Sequence, residues 1–270
     1  MSQHMPANER VSIELGDDGV AQVRLIRADK MNALDPEMFT RIIEAGAVLH
    51  ELKGLRAVVL SGEGPSFCAG LDITSLGAAP AEDQPALTER LYGNTNTFQE
   101  VAMQWRKLPV PVIAAVHGVC FGGGMQIASG ADIRVVHPES RMAIMEMKWG
   151  LVPDMAGYAL WRGVVRDDVL RELIYTNRQF TGAEAKELGL ATFLDEDPLA
   201  KATAIATEIA NRNPHAIRAA KRLHESMFDA DTDTILQAES DEQHAIIRTK
   251  NQIEAVMAGM QKRAANFEDL

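Results

Sequence analysis

Val112-Ile113-Ala114-Ala115-Val116-His117-Gly118, leading into Gly122-Gly123-Gly124, is the stretch whose reading decides the fold of this chain. Pro109 and Pro111 precede five apolar residues that run without a polar interruption, the pattern of a strand covered on both faces. His117-Gly118 ends that strand. The triple glycine then opens a helix that runs through Ser129, and strand-like Ile133-Arg134-Val135-Val136 and an apolar segment at Met142–Met145 follow.

Upstream the same alternation holds. Residues 11–26 form an opening hairpin, with Ala21, Val23 and Leu25 on one face, Gln22 and Arg24 on the other, and a turn at Gly16-Asp17-Asp18-Gly19. Asp35-Pro36 supplies an N-cap and first-turn proline for a helix whose apolar residues, Met38, Ile42, Ala45, Leu49 and Leu52, keep helical spacing until Gly54. Ala57–Leu60 reads as a short buried strand, and the Gly/Pro-rich stretch to Gly70 as a loop. Residues 77–88 read as a mobile surface loop, and a polar helix is expected near 88–107. Strands alternating with helices place the chain in the α/β class.

From Thr181 the character changes. Thr181-Gly182-Ala183-Glu184 has the form of a capping box, and helical patterns run at 198–212, 214–227, 232–248 and 251–264. The organisation expected is a core over 1–197 and a helical region over 198–270, with no internal repeat of fixed period.

Composition narrows the function. With 46% hydrophobic and 24% charged residues the chain can bury a large core. No segment approaches the roughly 18 apolar residues of a membrane span, and the start has no signal-type apolar stretch, so a cytoplasmic protein is expected. A net charge of −11 disfavours a nucleic-acid surface, although it leaves room for a local basic spot facing one phosphorylated small molecule. Cys68 and Cys120 lack metal-ligand spacing and sit in apolar segments, so they read as packing residues, and no metal is expected.

Glycines at a strand-to-helix junction leave backbone N–H groups unpaired and let a ligand approach them closely. Two phosphate-binding readings fail on spacing. A dinucleotide fingerprint anchored on Gly122 and Gly124 needs glycine where Ile127 stands, and the Gly-Lys-Ser/Thr of a P-loop is absent. A second glycine loop, Ser66-Phe67-Cys68-Ala69-Gly70-Leu71-Asp72, follows the strand ending at Leu60 as Gly122–Gly124 follows the strand ending at Val116. Two such loops can each offer one N–H to a single oxygen.

These two loops resemble the signature loops of the crotonase (enoyl-CoA hydratase/isomerase) family. Arg27-Ala28-Asp29-Lys30-Met31-Asn32-Ala33-Leu34 resembles the family's early coenzyme A segment, Gly150-Leu151-Val152-Pro153 the loop after its catalytic carboxylate, and Glu254–Phe267 its C-terminal helix. The resemblance spans nearly the whole chain in the family's order. It implies a crotonase-type spiral of repeated ββα units with a C-terminal helical region that forms a trimer or a dimer of trimers. It also implies an oxyanion hole made by the N–H groups of Leu71 and Gly123, which hold a thioester carbonyl as it becomes an enolate. A carboxylate cannot remove a thioester α-proton unaided, and each preorganised donor contributes roughly 3–4 kcal/mol to the transition state.

The family places its acids at positions that are Gln126, Glu146 and Asp154 in this chain. Family hydratases carry glutamate at both of the first two, and an amide at Gln126 can orient water but cannot transfer a proton at neutral pH. Glu146 followed eight residues later by Asp154 resembles the pair in dienoyl-CoA isomerases, although those carry an acid at the Gln126 position too. Asp154 also resembles the nucleophile of chlorobenzoyl-CoA dehalogenases, but their tryptophan at the Glu146 position is missing. A glutamate in an apolar strand such as Ile144-Met145-Glu146-Met147 is a site candidate on its own, because an unpartnered buried carboxylate is costly. Asp154 can equally cap a turn, Asp72 can serve as a cap that orients its loop, and His117 reads as a satisfied loop histidine.

For coenzyme A, which enters as part of the substrate rather than as a cofactor, the resemblance implies that Lys30, Ala33 and Leu34 border the nucleotide and pantetheine. It implies that Ala69, Asp72 and Ile73 line the tunnel mouth. Lys30 is the expected phosphate partner, unless it is a solvated turn lysine. Lys262 and Arg263 resemble a basic spot that reaches a neighbouring subunit's coenzyme A, but the aromatic expected just before it is replaced by Gly259. The expectation is therefore double-bond isomerisation of an unsaturated acyl-CoA. Alternatives are 2-enoyl-CoA hydration by Glu146 with Gln126 positioning the water, a non-catalytic acyl-CoA binder, or an RNA-binding member, which the acidic balance disfavours. Acyl length would be set by the loop over 77–98.

Overall fold

A parallel sheet grows wherever a buried apolar strand is followed by a glycine turn and a returning helix, and this chain repeats that step. The computed structural model describes residues 3–4, 9–75 and 85–269. In chain order its elements are β1 (Gln3–His4), β2 (Val11–Leu15), β3 (Val20–Leu25), α1 (Pro36–Glu51), β4 (Ala57–Gly62), α2 (Thr97–Lys107) and β5 (Val112–Val116). Then come β6 (Val119–Phe121), α3 (Gly123–Ser129), β7 (Ile133–Val136), β8 (Arg141–Ala143), α4 (Gly157–Trp161), α5 (Asp167–Thr176), β9 (Phe180–Thr181), α6 (Gly182–Glu187) and β10 (Phe193–Leu194). Four helices close the chain: α7 (Pro198–Ala210), α8 (Pro214–Ser226), α9 (Thr232–Ile246) and α10 (Lys250–Gln261).

The main sheet has the order β1-β2-β3-β4-β5-β7-β10. Its hairpin end, β1–β2–β3, is antiparallel, and every pairing from β3 to β10 is parallel. A smaller sheet, β6-β8-β9, runs beside it, and Cys68 joins Cys120 by an isolated parallel bridge. Each turn of the spiral therefore gives one strand to the main sheet and one shorter segment to the second layer, then a helix: β5–β6–α3 is the clearest turn. This is the ββα spiral that the resemblance implies.

All five residues of β5 are buried, as a doubly covered strand requires. One face of the sheet packs on α1, whose Met38, Ile42 and Leu49 are essentially inaccessible, each contributing about 2 kcal/mol of apolar burial. The other face packs on α7 through Ala202, Ala206 and Ala210, which meet Val59, Ile113 and Val135. The helical region that begins at 198 thus starts with a helix that completes the core. Among the described residues no helix is long and apolar enough to cross a membrane.

Most of the surface loop expected over 77–88 lies outside the described residues, and three other local expectations need correction. The helix expected from about 88 starts only at Thr97, because Asn96 and Gln99 form a reciprocal cap, with Asn96 Oδ1 accepting from Gln99 N at 2.8 Å and Gln99 Oε1 from Asn96 N at 3.1 Å. The apolar run around Glu146 is not a strand: β8 stops at Ala143, and Glu146–Trp149 is a 3-10 turn. At Thr181 the capping box forms by half. Its hydroxyl accepts from Glu184 N at 3.1 Å, but the Glu184 carboxylate turns to Arg178 at 2.7 Å. Both cysteines are buried and free; Cys68 Sγ donates to Asn32 O at 3.1 Å, and burial pushes its thiol up to about 12.

Candidate active site

The two glycine loops are stitched together by their backbones. Phe67 N donates to His117 O at 2.9 Å, Cys68 N to Val119 O at 3.1 Å, and Phe121 N to Cys68 O at 3.1 Å. Asn32, wholly buried, anchors the first loop. Its Nδ2 donates to Glu63, Ser66 and Phe67 carbonyls at 3.0, 2.9 and 3.2 Å while its Oδ1 accepts from Arg27 N at 2.8 Å. Contact between the loops leaves no room for side chains. A Cβ on Gly70, where φ is +84°, would sit 2.6 Å from Phe121 O and 3.4 Å from Gly123 N. One on Gly124 would sit 2.4 Å from Cys68 O. Neither Leu71 N nor Gly123 N donates a hydrogen bond to any described residue. Two free donors on adjoining loops are the arrangement an oxyanion needs.

Beside them stands Glu146. A Cβ on Gly122 would lie 3.3 Å from Glu146 Oε1, so the carboxylate borders the glycine turn itself. Oε1 accepts from Gln126 Nε2 at 2.6 Å; Oε2 is buried and has no hydrogen-bond partner among the described residues. Burial pushes the Glu146 pKa up, nearby Asp154 adds to the rise, and backbone hydrogen bonds and the Gln126 bond oppose it. A carboxyl with one oxygen held, one open and a raised pKa is suited to general-base work.

Gln126 is held in this geometry from both ends of its amide. Its side-chain carbonyl accepts from Met155 N and Gly157 N, both at 2.9 Å, and the residue is inaccessible. These two N–H groups converge on one oxygen because Ala156 between them takes a left-handed conformation, φ +70°, that alanine adopts only at a cost. Gly157 is required there: a Cβ would meet the Trp161 ring at 2.5 Å and Gln126 Oε1 at 2.8 Å. Gln126 therefore braces Glu146 and the loop carrying Asp154, and its oxygen has no capacity left to orient a water. Asp154 lies at the rim, exposed as a residue, but its carboxyl is desolvated enough to raise its pKa.

Around the loops, Leu34 is buried and its Cδ1 borders Gly123, while Ala33 and Ala69 are partly covered and Lys30 and Ile73 are exposed. Asp72 is occupied. One oxygen takes Arg27 at 2.8 Å, the other takes Thr74 N at 3.1 Å and Thr74 Oγ1 at 2.7 Å, and the Thr74 hydroxyl first and then Arg27 hold its pKa down. It positions the segment next to Leu71. Arg27 also donates to Ala33 O at 2.9 Å, tying the two segments that the family resemblance implies for coenzyme A. Sequence reading missed Arg27, Asn32 and the Met155–Gly157 turn, since their roles lie in hydrogen bonds across separated segments. Lys262 and Arg263 differ in availability: Arg263 is paired with Glu254, with NH2 2.8 Å from Oε2, whereas Lys262 makes no side-chain bond to a described residue. His117 Nε2 contacts Gly64 O at 2.9 Å, the satisfied loop role expected of it.

Comparison with known proteins agrees with this architecture. A model of the family described as enoyl-CoA hydratase/isomerase matches residues 16–270. The chain is similar to the mitochondrial Delta(3,5)-Delta(2,4)-dienoyl-CoA isomerase of Rattus norvegicus, at 27% identity over 94% of this chain and 80% of the relative. It is also similar to an enoyl-CoA hydratase of Mycobacterium tuberculosis, at 32% identity over 78% of this chain and 81% of that protein. Among solved structures, an enoyl-CoA hydratase from Bacillus anthracis superimposes with a TM-score of 0.86 at 27% identity, covering 96% of this chain and 98% of the other. With its spiral of ββα turns and its paired glycine loops, the chain belongs to the enoyl-CoA hydratase/isomerase family.

Proposed function

We propose that the protein isomerises a double bond of an unsaturated acyl-CoA. The substrate thioester oxygen sits between Leu71 N and Gly123 N. Glu146 Oε2 removes the α-proton, the C–H electrons move into the thioester to give an enolate, and the two N–H groups hold its oxygen. The electrons then return through the conjugated chain. Asp154, whose raised pKa favours holding a proton, delivers one to the remote carbon, and the proton on Glu146 restores the balance between the two acids after turnover.

The observation that carries this reading is the commitment of Gln126. Its carbonyl is filled by two backbone N–H groups and its amide nitrogen is bonded to Glu146. Hydration needs a second group able to hold and deprotonate water, and Gln126 does not offer one. The relatives named dienoyl-CoA isomerase support the same choice, while the relative named enoyl-CoA hydratase keeps hydration as the alternative. Lys30, exposed and without an acidic partner among the described residues, fits a phosphate of coenzyme A. The exposed apolar side chains on α9 and α10, including Leu236, Ile253, Val256 and Met260, fit assembly into a trimer or a dimer of trimers.

The test is Glu146→Gln assayed on 3-enoyl- and 3,5-dienoyl-CoA. We expect kcat to fall by at least roughly a hundredfold, the scale of a lost general base, with acyl-CoA binding retained. Full turnover by the variant would remove Glu146 from the reaction.

A further inference from the structure

A second concavity is lined in part by Leu160 of α4 and does not include Glu146. It is a half-open cleft of about 530 Å³ between α4, α7 and α8, with mostly apolar walls that include Ile133, Leu160, Val164, Ile217 and Phe228. That volume falls within the roughly 300–1,000 Å³ of small-molecule pockets.

Arg134 lines it and is only 9% exposed. The guanidinium is held from behind, with Nε donating to Leu190 O at 2.9 Å and NH1 to Ala131 O at 2.7 Å, and NH2 makes no hydrogen bond to any described residue. No carboxylate pairs with it among the described residues. The two acids that face the cleft are engaged elsewhere. Asp132 Oδ2 holds Lys221 Nζ at 2.8 Å and Val112 N at 2.7 Å, and Glu225 grips Arg106 Nε at 2.7 and 2.9 Å. His224 also lines the cleft, from the last turn of α8. Desolvation first, and then the charge of Arg106, bring the Arg134 pKa down to about 10, and the charge of Asp132 opposes them only in part.

A buried cation with a free donor and apolar walls selects a ligand with an anionic head and an aliphatic tail. We propose that this cleft is a second ligand site that binds an aliphatic carboxylate, its head on Arg134 NH2 and its chain along Ile133, Leu160 and Ile217. Because Arg134 is recessed, a slender chain reaches it where a flat protein surface does not. The site is separate from the acyl-CoA site, although α4 touches both: Gly157 N holds Gln126, and Leu160 lines the cleft.

Isothermal titration calorimetry with decanoate, decan-1-ol and decylamine, each below its micelle concentration, tests the assignment. Decanoate should bind one per chain and at least tenfold more tightly than the alcohol or the amine. Ala220→Trp on α8 fills the cleft and should abolish decanoate binding while enoyl-CoA turnover stays within twofold. Arg134→Gln, with its fold verified by thermal melting, should erase the preference for carboxylate over alcohol. Equal binding of alcohol and carboxylate, or decanoate binding untouched by Ala220→Trp, would overturn the proposal. So would a change in sedimentation showing that Ala220→Trp disrupts assembly, because the cleft would then belong to a subunit contact.

Discussion

Replacing Gln126 with leucine removes the brace at nearly constant volume and isolates what its amide contributes. Three hydrogen bonds disappear: the 2.6 Å bond to Glu146 and the two 2.9 Å bonds from Met155 N and Gly157 N. The two N–H groups are left buried and unpaired, at about 1–3 kcal/mol each, so the loss of stability should be about 2–6 kcal/mol. At roughly 2–4 °C per kcal/mol for a chain of this size, Tm should fall by on the order of 10 °C. Glu146 also loses a bond that favours its ionised form, so the acid limb of the kcat profile should move to higher pH. Gln126→Glu is the control. One carboxylate oxygen can still accept both N–H groups, but the other would face Glu146 at about the present 2.6 Å, where two charges repel by about 6 kcal/mol at an effective dielectric of 20. The pair must then share a proton through neutral pH. Native protein would bind a proton that the unfolded chain releases, so the stability of Gln126→Glu should decline as pH rises through neutrality. Calorimetric melting from pH 5 to 9 with turnover on the same samples reads both variants. A Gln126→Leu protein within about 1 kcal/mol of wild type and with an unmoved pH profile would refute the brace.

Three further outcomes follow from the same geometry. Glu146 has a raised pKa in the folded chain, so the native state binds more protons than the unfolded one above the ordinary carboxylate range, and stability falls as pH rises; inactive Glu146→Gln should therefore melt on the order of a few degrees higher than wild type at pH 7–8, an advantage that disappears below the ordinary glutamate pKa in a pH series of melts. Gly70→Ala combines a left-handed backbone with a Cβ 2.6 Å from Phe121 O and should cost about 2–4 kcal/mol in denaturant titration, with loss of turnover because Leu71 N is displaced. Asp72→Ala frees the segment beside Leu71 from Arg27 and Thr74, and kcat/KM should drop about tenfold through kcat with chemical stability changed by only about 1–2 kcal/mol, as steady-state kinetics and melts will show.

Much of this site was legible in the sequence, and the parts that were not share a cause. The apolar run Val112–Val116, the cap at Asp35-Pro36, and the C-terminal helical patterns are local signals, and the elements formed where those signals placed them. Gly70 and Gly122–Gly124 were readable as close-approach glycines: Gly70 and Gly122 have positive φ, and a Cβ on Gly123 or Gly124 would sit 2.8 Å from Leu34 Cδ1 or 2.4 Å from Cys68 O. Glu146 stood out as an acid in an apolar run, but periodicity assigned it to a strand, since a single 3-10 turn after Ala143 leaves no repeating pattern. The role of Gln126 was beyond reach. Its identity excluded proton transfer, yet whether it faces water or protein depends on Met155 and Gly157, residues 29 and 31 positions away, and on the left-handed Ala156. Asn32 and Arg27 escaped for the same reason: their hydrogen bonds reach loops that only the finished spiral brings near.

The central claim is that a braced glutamate beside two free backbone donors moves a proton along an acyl chain instead of adding water. Parallel kcat/KM values for the wild-type protein on 2-enoyl-, 3-enoyl- and 3,5-dienoyl-CoA of equal length test it most directly. The account predicts that a 3-enoyl or 3,5-dienoyl substrate is converted at least tenfold more efficiently than 2-enoyl-CoA is hydrated. Hydration that equals or exceeds isomerisation would contradict it.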